Sequence, residues 1–362
     1  MNKQTMPLDH ATGRVLHQEP TGQVKILEFE PRYTKVMAAH FGGRFLEYRR
    51  SWDRAAAFEI RPEFPLSLDL EVNAACNLKC VMCVMGGTRY VNPMAAEPVM
   101  DPALYRRLMR EAETMGLPAM TFGFLSEPLL RPDLEEMIRS ARQAGVMDIR
   151  LGTNGTLLTA EMSRRLIEAG LTRLEVSLDA LYPETYRRIR RGGRLETVVR
   201  HILAFLENRD KAGSDFPILR LSFLRLPDNY SELDDFLGFW QDKADLFSIQ
   251  EPIFFEDAPI SKELEFVREP IGRNFRCPQP WQRLIVRSNG DVFPCCSIYG
   301  LAMKLGSAKT DSLARIWTTQ EILDLADLHR DGRYWQNRHC RQCASRSALK
   351  VKTGKSTKRE KR

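Results

Sequence analysis

Cys76-Asn77-Leu78-Lys79-Cys80-Val81-Met82-Cys83 places three cysteines within one short segment, and Leu66-Ser67-Leu68-Asp69-Leu70-Glu71-Val72 leads into it. Apolar and polar residues alternate through 66–72, the period of a strand. The chain is therefore expected to leave a strand and enter a loop in which thiolates spaced CxxxCxxC reach one side of a metal centre. Three ligands with no fourth cysteine nearby suit a [4Fe–4S] cube with one iron left open to an exogenous ligand. Zinc is the alternative, although it favours closed tetrahedral sets and usually shorter CxxC pairs.

Working outward from this loop, a pattern repeats. Asp101-Pro102 is an N-cap and first-turn pair that opens a helix running to Met115. Residues 119–124 form a short apolar strand, and Leu134, Met137, Ile138 and Ala141 follow at helical spacing. Strands are expected at 148–152, 173–178, 218–224 and 246–253. Between them lie helical stripes: Met162, Leu166 and Ile167, ended by Gly170; Val198, Ile202 and Phe205; Leu233, Phe236, Leu237 and Trp240. Strands alternating with helices predict an α/β fold of βαβ units with a parallel sheet. Curled, this is a partial (β/α)6 barrel with its site at the C-terminal strand ends. After residue 256 the composition turns to Pro, Gly, Cys and Trp and the periodic helices thin out. The expected division is an N-terminal extension at 1–62, the barrel at 63–255, a small α+β domain at 256–347 and a disordered basic tail at 348–362.

The second domain holds the remaining cysteines, Cys277, Cys295, Cys296, Cys340 and Cys343, with none between residues 84 and 276. Asn289-Gly290 favours a two-residue hairpin turn, so 284–287 and 291–293 should pair and bring Cys277 and Cys295 to one end. Cys340-Arg341-Gln342-Cys343 adds a CxxC pair. Cys277, Cys295, Cys340 and Cys343 make a closed set of four, for which structural zinc is the alternative to a cluster. Cys296 is left over, most simply as a small buried hydrophobe.

The 362 residues carry a net charge of +7, part of it in the Lys- and Arg-rich final segment. That segment is read as a solubilising tail in preference to a nucleic-acid contact. Cysteine clusters of this kind in a cytosolic protein point to metal ligands before disulfides. Residues 1–13 show no basic region followed by an apolar core, and no stretch approaches the roughly 18 apolar residues of a spanning helix. A cytoplasmic protein with no membrane contact is expected.

These features together resemble the radical S-adenosylmethionine (SAM) superfamily, whose CxxxCxΦC signature follows the first barrel strand. Leu125-Ser126-Glu127-Pro128 resembles the family's GGEP motif, with Ser126 in place of glycine; Thr153-Asn154-Gly155 resembles TNGxLL; Ser177-Leu178-Asp179 resembles SLD; and Ile189-Arg190 with Gly192-Gly193 resembles IRxGG. The resemblance covers about residues 64 to 256. It implies that Cys76, Cys80 and Cys83 hold a [4Fe–4S] cluster whose open iron chelates SAM. Reductive cleavage of SAM then gives a 5′-deoxyadenosyl radical. It also implies SAM contacts from Met82, Ser126, Glu127, Thr153, Asn154, Ser177 and Arg190, with Glu127 accepting from the ammonium and Arg190 and Ser177 meeting the carboxylate. A flavodoxin- or ferredoxin-type protein would donate the electron. The C-x12-G-x4-C opening at Cys277 resembles the SPASM pattern. With no cysteine after Cys343, it looks like the shorter twitch form with one auxiliary [4Fe–4S] cluster, as in butirosin-type aminocyclitol dehydrogenases. On that likeness the substrate is a small hydroxylated molecule oxidised with the auxiliary cluster as electron acceptor. Peptide modification, or epimerisation with Cys296 as hydrogen donor, are the alternatives. Arg220, Arg225 and Glu251 are candidates for substrate contact or proton relay, with structural ion pairs as the other reading.

Overall fold

A computed structural model describes residues 14–18, 24–28, 32–87, 97–253, 256, 258–262, 266–268, 275–347 and 349–351. The strands β1 (Arg14–Gln18) and β2 (Val24–Glu28) are followed by helices α1 (Arg32–Phe41) and α2 (Gly43–Ala56). The βα repeat then runs β3 (Ser67–Leu70), α3 (Pro102–Met115), β4 (Ala119–Phe122), α4 (Leu134–Gln143), β5 (Asp148–Thr153), α5 (Ala160–Glu168) and β6 (Arg173–Ser177). It continues through α6 (Pro183–Ile189), α7 (Leu195–Lys211), β7 (Ile218–Leu224), α8 (Leu233–Trp240) and β8 (Leu246–Gln250). The local signals act as expected. Asp101 caps α3 by accepting from Ala103 and Leu104 N–H groups at 2.6 and 3.2 Å, and Gly116 ends it at φ 65°. β8 stops short of the expected 253 because Pro252 has no N–H to give the ladder.

Strands β3 to β8 lie side by side in chain order, every neighbouring pair parallel. This is the expected partial barrel. Alternation sorts the two faces of each strand. Leu68, Met120, Ile149, Leu174, Leu221 and Phe247 turn outward into the core shared with the helices. Asp69, Thr121, Arg150, Glu175, Ser222 and Gln250 line a cavity on the other, concave face.

The chain before the barrel is more than an extension. Tyr33, Met37, Phe45 and Tyr48 of α1 and α2 pack on Leu66, Ala119, Met147, Ile218 and Leu246, residues at the N-terminal ends of barrel strands. The two helices thus floor the barrel opposite its functional end. Tyr33 also donates to Asp148, which is clasped by Arg173. β2 pairs antiparallel with β8 and so covers that edge of the barrel.

Beyond the barrel come β9 (Phe266–Arg268), α9 (Gln279–Gln282), β10 (Arg283–Val286), β11 (Asp291–Phe293) and β12 (Gly306–Ser307). Helices α10 (Leu313–Trp317), α11 (Gln320–Arg330) and α12 (Arg338–Ser347) and strand β13 (Leu349–Val351) follow. β10 and β11 form the hairpin expected around Asn289-Gly290, with Gly290 at φ 87°. β10 also lies parallel to β3, so one sheet runs from β1 to β12 in the order β1-β2-β8-β7-β6-β5-β4-β3-β10-β11-β12. β13 pairs with β9, which corrects the reading of everything from 348 onward as disordered; residues 352–362 lie outside the described residues. No described helix is long and apolar enough to cross a membrane.

Candidate functional site

Two cavities adjoin at the C-terminal ends of the barrel strands. The first, about 510 Å³, is bordered by Cys76, Cys80 and Cys83. The loop that carries them is clamped to the segment after α6: Lys79 N–H donates to the Arg191 carbonyl at 2.9 Å and Val81 N–H to the Ile189 carbonyl at 3.0 Å. It turns back so tightly that a Cβ on Gly86 would overlap the Cys80 carbonyl. Burial pushes the Cys80 thiol up to about 11, against the pull of the Arg190 guanidinium, whose Nη1 lies 3.9 Å from its sulfur.

The residues expected around SAM border this cavity, but several are already engaged. The Glu127 carboxylate is buried and accepts from Thr153 Oγ1 at 2.7 Å, Asn154 N–H at 2.7 Å and Leu129 N–H at 3.1 Å. Burial raises its pKa in spite of these donors. Glu127 thus braces the loop after β4 to the loop after β5 while bordering the cavity. Asn154 likewise spends its amide on Asn77 Oδ1 at 2.9 Å and its oxygen on Thr156. Arg190 is held by Asp179, which accepts from its Nε at 2.7 Å and from the Leu224 N–H at 2.7 Å. Ser126 differs from these. Its hydroxyl is buried at the cavity and has no hydrogen-bond partner. Ser177 and Met82 border the cavity too.

The second cavity, about 350 Å³, is ringed by Cys277, Cys295, Cys296, Cys340 and Cys343. Cys340 and Cys343 stand one turn apart on α12, whose first turn is capped by Asn337 Oδ1 accepting from the Cys340 N–H at 3.1 Å. Cys295 comes from the end of the hairpin, and a Cβ on Gly300 would overlap its sulfur. Burial raises the Cys295 thiol, with the neighbouring Cys296, Cys277 and Cys343 sulfurs adding to it. Among the described residues no three His, Cys, Asp or Glu side chains converge on one ion; the thiols ring their cavities instead.

Met82, Leu224, Gln250 and Cys296 border both cavities. The leftover cysteine is therefore exposed between them, its thiol 3.5 Å from Gln279 Oε1, which corrects its reading as buried filler. Of the residues proposed for substrate, Arg220 pairs with Glu175, and Arg225 pairs with Glu251 while stacking on Tyr230. Glu175, clasped by Arg220 and Arg150, stays well below the usual carboxylate range at about 2 despite its burial. Three residues that border the cavities escaped the sequence reading. Asp179 was within a quoted motif, whereas Gln250 and His329 carry no local signal at all. On the outer side of the first loop, Arg187, Arg188 and Arg191 line a groove beside Val81.

Comparison with known proteins agrees with this geometry. Residues 70–220 match the model of the radical SAM superfamily, and residues 277–344 match that of an iron–sulfur cluster-binding domain, SPASM. A probable GTP 3′,8-cyclase of Methanocaldococcus jannaschii is 30% identical over 221 residues, 58% of this chain and 70% of the relative. One from Methanothermobacter marburgensis is 32% identical over 54% of this chain, a match that spans 60% of the relative's own length. Among solved structures, Streptococcus suis SuiB bound to precursor peptide SuiA aligns with a TM-score of 0.56 and 16% identity, covering 80% of this chain and 71% of that one. Native anSMEcpe with bound AdoMet aligns at 0.54 and 15%, covering 77% and 89%. These domains imply a [4Fe–4S] cluster with SAM in the barrel and auxiliary iron–sulfur chemistry beyond it. The residues present fit both groups. Three thiols border the first cavity, the unpartnered Ser126 hydroxyl lacks a polar group to meet, and five thiols ring the second cavity. The chain belongs to the radical SAM superfamily and carries a C-terminal SPASM domain.

Proposed function

We propose that this radical SAM enzyme oxidises a small hydroxylated molecule of the sugar or aminocyclitol type, bound where the two cavities meet. The observation that supports it most is the shared border formed by Met82, Leu224, Gln250 and Cys296: a substrate there touches both cofactor sites. In this reading Cys76, Cys80 and Cys83 hold the SAM cluster, and Cys277, Cys295, Cys340 and Cys343 hold one closed auxiliary cluster. When bound, these groups supply a carbon-centred radical that takes a hydrogen atom from substrate and a sink for the second electron. The chain's own residues orient and enclose. Ser126 and Ser177 offer hydroxyls to SAM. Arg190, fixed by Asp179, keeps its remaining N–H groups toward the Cys80 side. Gln250 donates to Ser222 at 2.9 Å and Ser248 at 3.0 Å, which leaves its carbonyl oxygen for a substrate hydroxyl. The Arg225–Glu251 pair, beside the second cavity, is placed to receive the hydroxyl proton. The electron enters from a flavodoxin- or ferredoxin-type donor at the arginine groove behind Val81.

A second reading, redox-neutral epimerisation, draws support from Cys296, whose exposed thiol is placed to return a hydrogen atom. Turnover of a panel of sugars and aminocyclitols in heavy water separates the two. Oxidation consumes one SAM per product, removes two hydrogens and brings no solvent deuterium onto carbon. Carbon-bound deuterium without loss of mass would overturn oxidation in favour of the Cys296 route.

A further inference from the structure

His329 stands in the last turn of α11, 2% exposed, on the wall of the second cavity. The mechanism above makes no use of it, and no motif marks it. Two contacts define its state. The backbone N–H of Cys277 donates to Nδ1 at 3.1 Å, and Nε2 faces the Cys340 sulfur at 3.4 Å. A nitrogen that accepts cannot carry the proton, so the ring's hydrogen is on Nε2 and points at sulfur. The ring and its helix are packed in place. Phe275 meets it edge-on at 6.4 Å, and the Trp281 indole donates to the Ala326 carbonyl one turn earlier in the helix, at 2.9 Å. One imidazole therefore ties together two cysteines that are far apart in sequence and that belong to different elements, a loop and α12.

We infer that His329 is a positioning residue of the auxiliary site: it donates its Nε2–H to the Cys340 thiolate, fixes the Cys277 backbone, and so sets the reduction potential of the cluster these cysteines hold. The inference rests on the reading of Cys277 and Cys340 as cluster ligands. A donor aimed at a ligating thiolate disperses its negative charge, stabilises the reduced cluster and raises its potential. The ring is not a ligand, since its one free lone pair is taken by Cys277.

The test uses anaerobically reconstituted full-length protein in which Cys76, Cys80 and Cys83 are replaced by Ala, so that only the auxiliary cluster is read. His329→Leu removes the donor; His329→Gln restores an amide N–H near the Nε2 position. Midpoint potentials come from EPR-monitored titration, and Fe–S stretching frequencies from resonance Raman spectra. The expected result is retained iron in both variants, a more negative midpoint in His329→Leu and a midpoint near the parent in His329→Gln, with Fe–S stretches shifted in the Leu variant alone. Equal midpoints in all three proteins would overturn the inference. So would loss of the cluster from both variants while the parent keeps it, because His329 would then be a ligand or a purely structural support. A parent that binds zinc or no iron would instead overturn the ligand assignment beneath it.

Discussion

Glu71 and Arg287 offer a quantitative test of how the C-terminal module is joined to the barrel. Glu71 follows β3 and Arg287 follows β10; both are almost fully buried, and Arg287 Nε donates to Glu71 Oε2 at 2.6 Å. Glu71 also accepts from the Leu125 N–H, in the loop that carries Ser126. Replacing Arg287 by Met leaves a buried carboxylate without its counter-charge, which costs about 3–5 kcal/mol. With a denaturant slope of about 3 kcal/mol/M, the urea midpoint should fall by roughly 1 M or more. The double change Glu71→Gln with Arg287→Met removes the charge and keeps an acceptor for Leu125, so it should recover most of the loss. The pH dependence has a definite sign. Burial already raises the Glu71 pKa against the lowering pull of Arg287; without Arg287 it rises further. A folded-state pKa raised above the unfolded value contributes stability at low pH that is lost as pH rises through it. The deficit of the single variant should therefore shrink between pH 8 and pH 5. A single variant as stable as the parent, or a double variant worse than the single, would refute the argument.

Other outcomes follow from the site. Cys340→Ala with Cys343→Ala should still yield 5′-deoxyadenosine under strong reductant but little oxidised product; equal loss of both would contradict separate roles. Gly300→Ala drives a methyl into the Cys295 sulfur, so iron and sulfide should fall to about half of the roughly eight expected per chain for two four-iron clusters. Arg188→Glu with Arg191→Glu should slow reduction by flavodoxin about tenfold, more at low salt, and leave reduction by dithionite unchanged. Burial raises the Cys80 thiol to about 11 and the Cys340 thiol to about 12. In cluster-free protein this stabilises the fold below the unfolded thiol value and is lost as pH rises through the folded ones, so urea midpoints should drop from about pH 9 upward. Cluster assembly must expel these protons, and loading should improve over the range from about pH 7 to 9.

The barrel was legible because its signals are local. Ile218–Leu224 is apolar at every position but Arg220 and Ser222, and Asp101-Pro102 and Gly170 punctuate their helices within a few residues. The cysteines were legible because spacing limits what three thiols in one loop can do. What stayed hidden depends on contacts between distant segments. The stripe Tyr33, Met37, Phe45 and Tyr48 was present in the sequence, but it is embedded in charged residues and broken by Gly42-Gly43. Nothing in it says that its partner surface is the underside of a barrel. Glu127 reads as a site carboxylate, but nothing local says that the Thr153 and Asn154 donors from the next strand close around it. Asp179 adopts a positive φ of 59° so that it reaches both Arg190 and the Leu224 N–H, a strain no motif announces. His329 becomes meaningful only when α11 brings it between Cys277 and Cys340.

The register of β10 along β3 has a consequence for anyone who would exchange modules between enzymes of this kind. Leu284, Ile285 and Val286 stand opposite Leu68, Asp69 and Leu70, on the strand that delivers the first cysteine loop. A cut at the change in composition near residue 256 severs the polypeptide where few features mark it, but it also strips a neighbour from β3. That strand would then present bare N–H and C=O groups, an open invitation to pair with another copy. A transplanted C-terminal module must therefore arrive with a strand of matching length and direction. The unit that can be moved is defined by the hydrogen-bond ladder, and its seam does not coincide with the seam in the sequence.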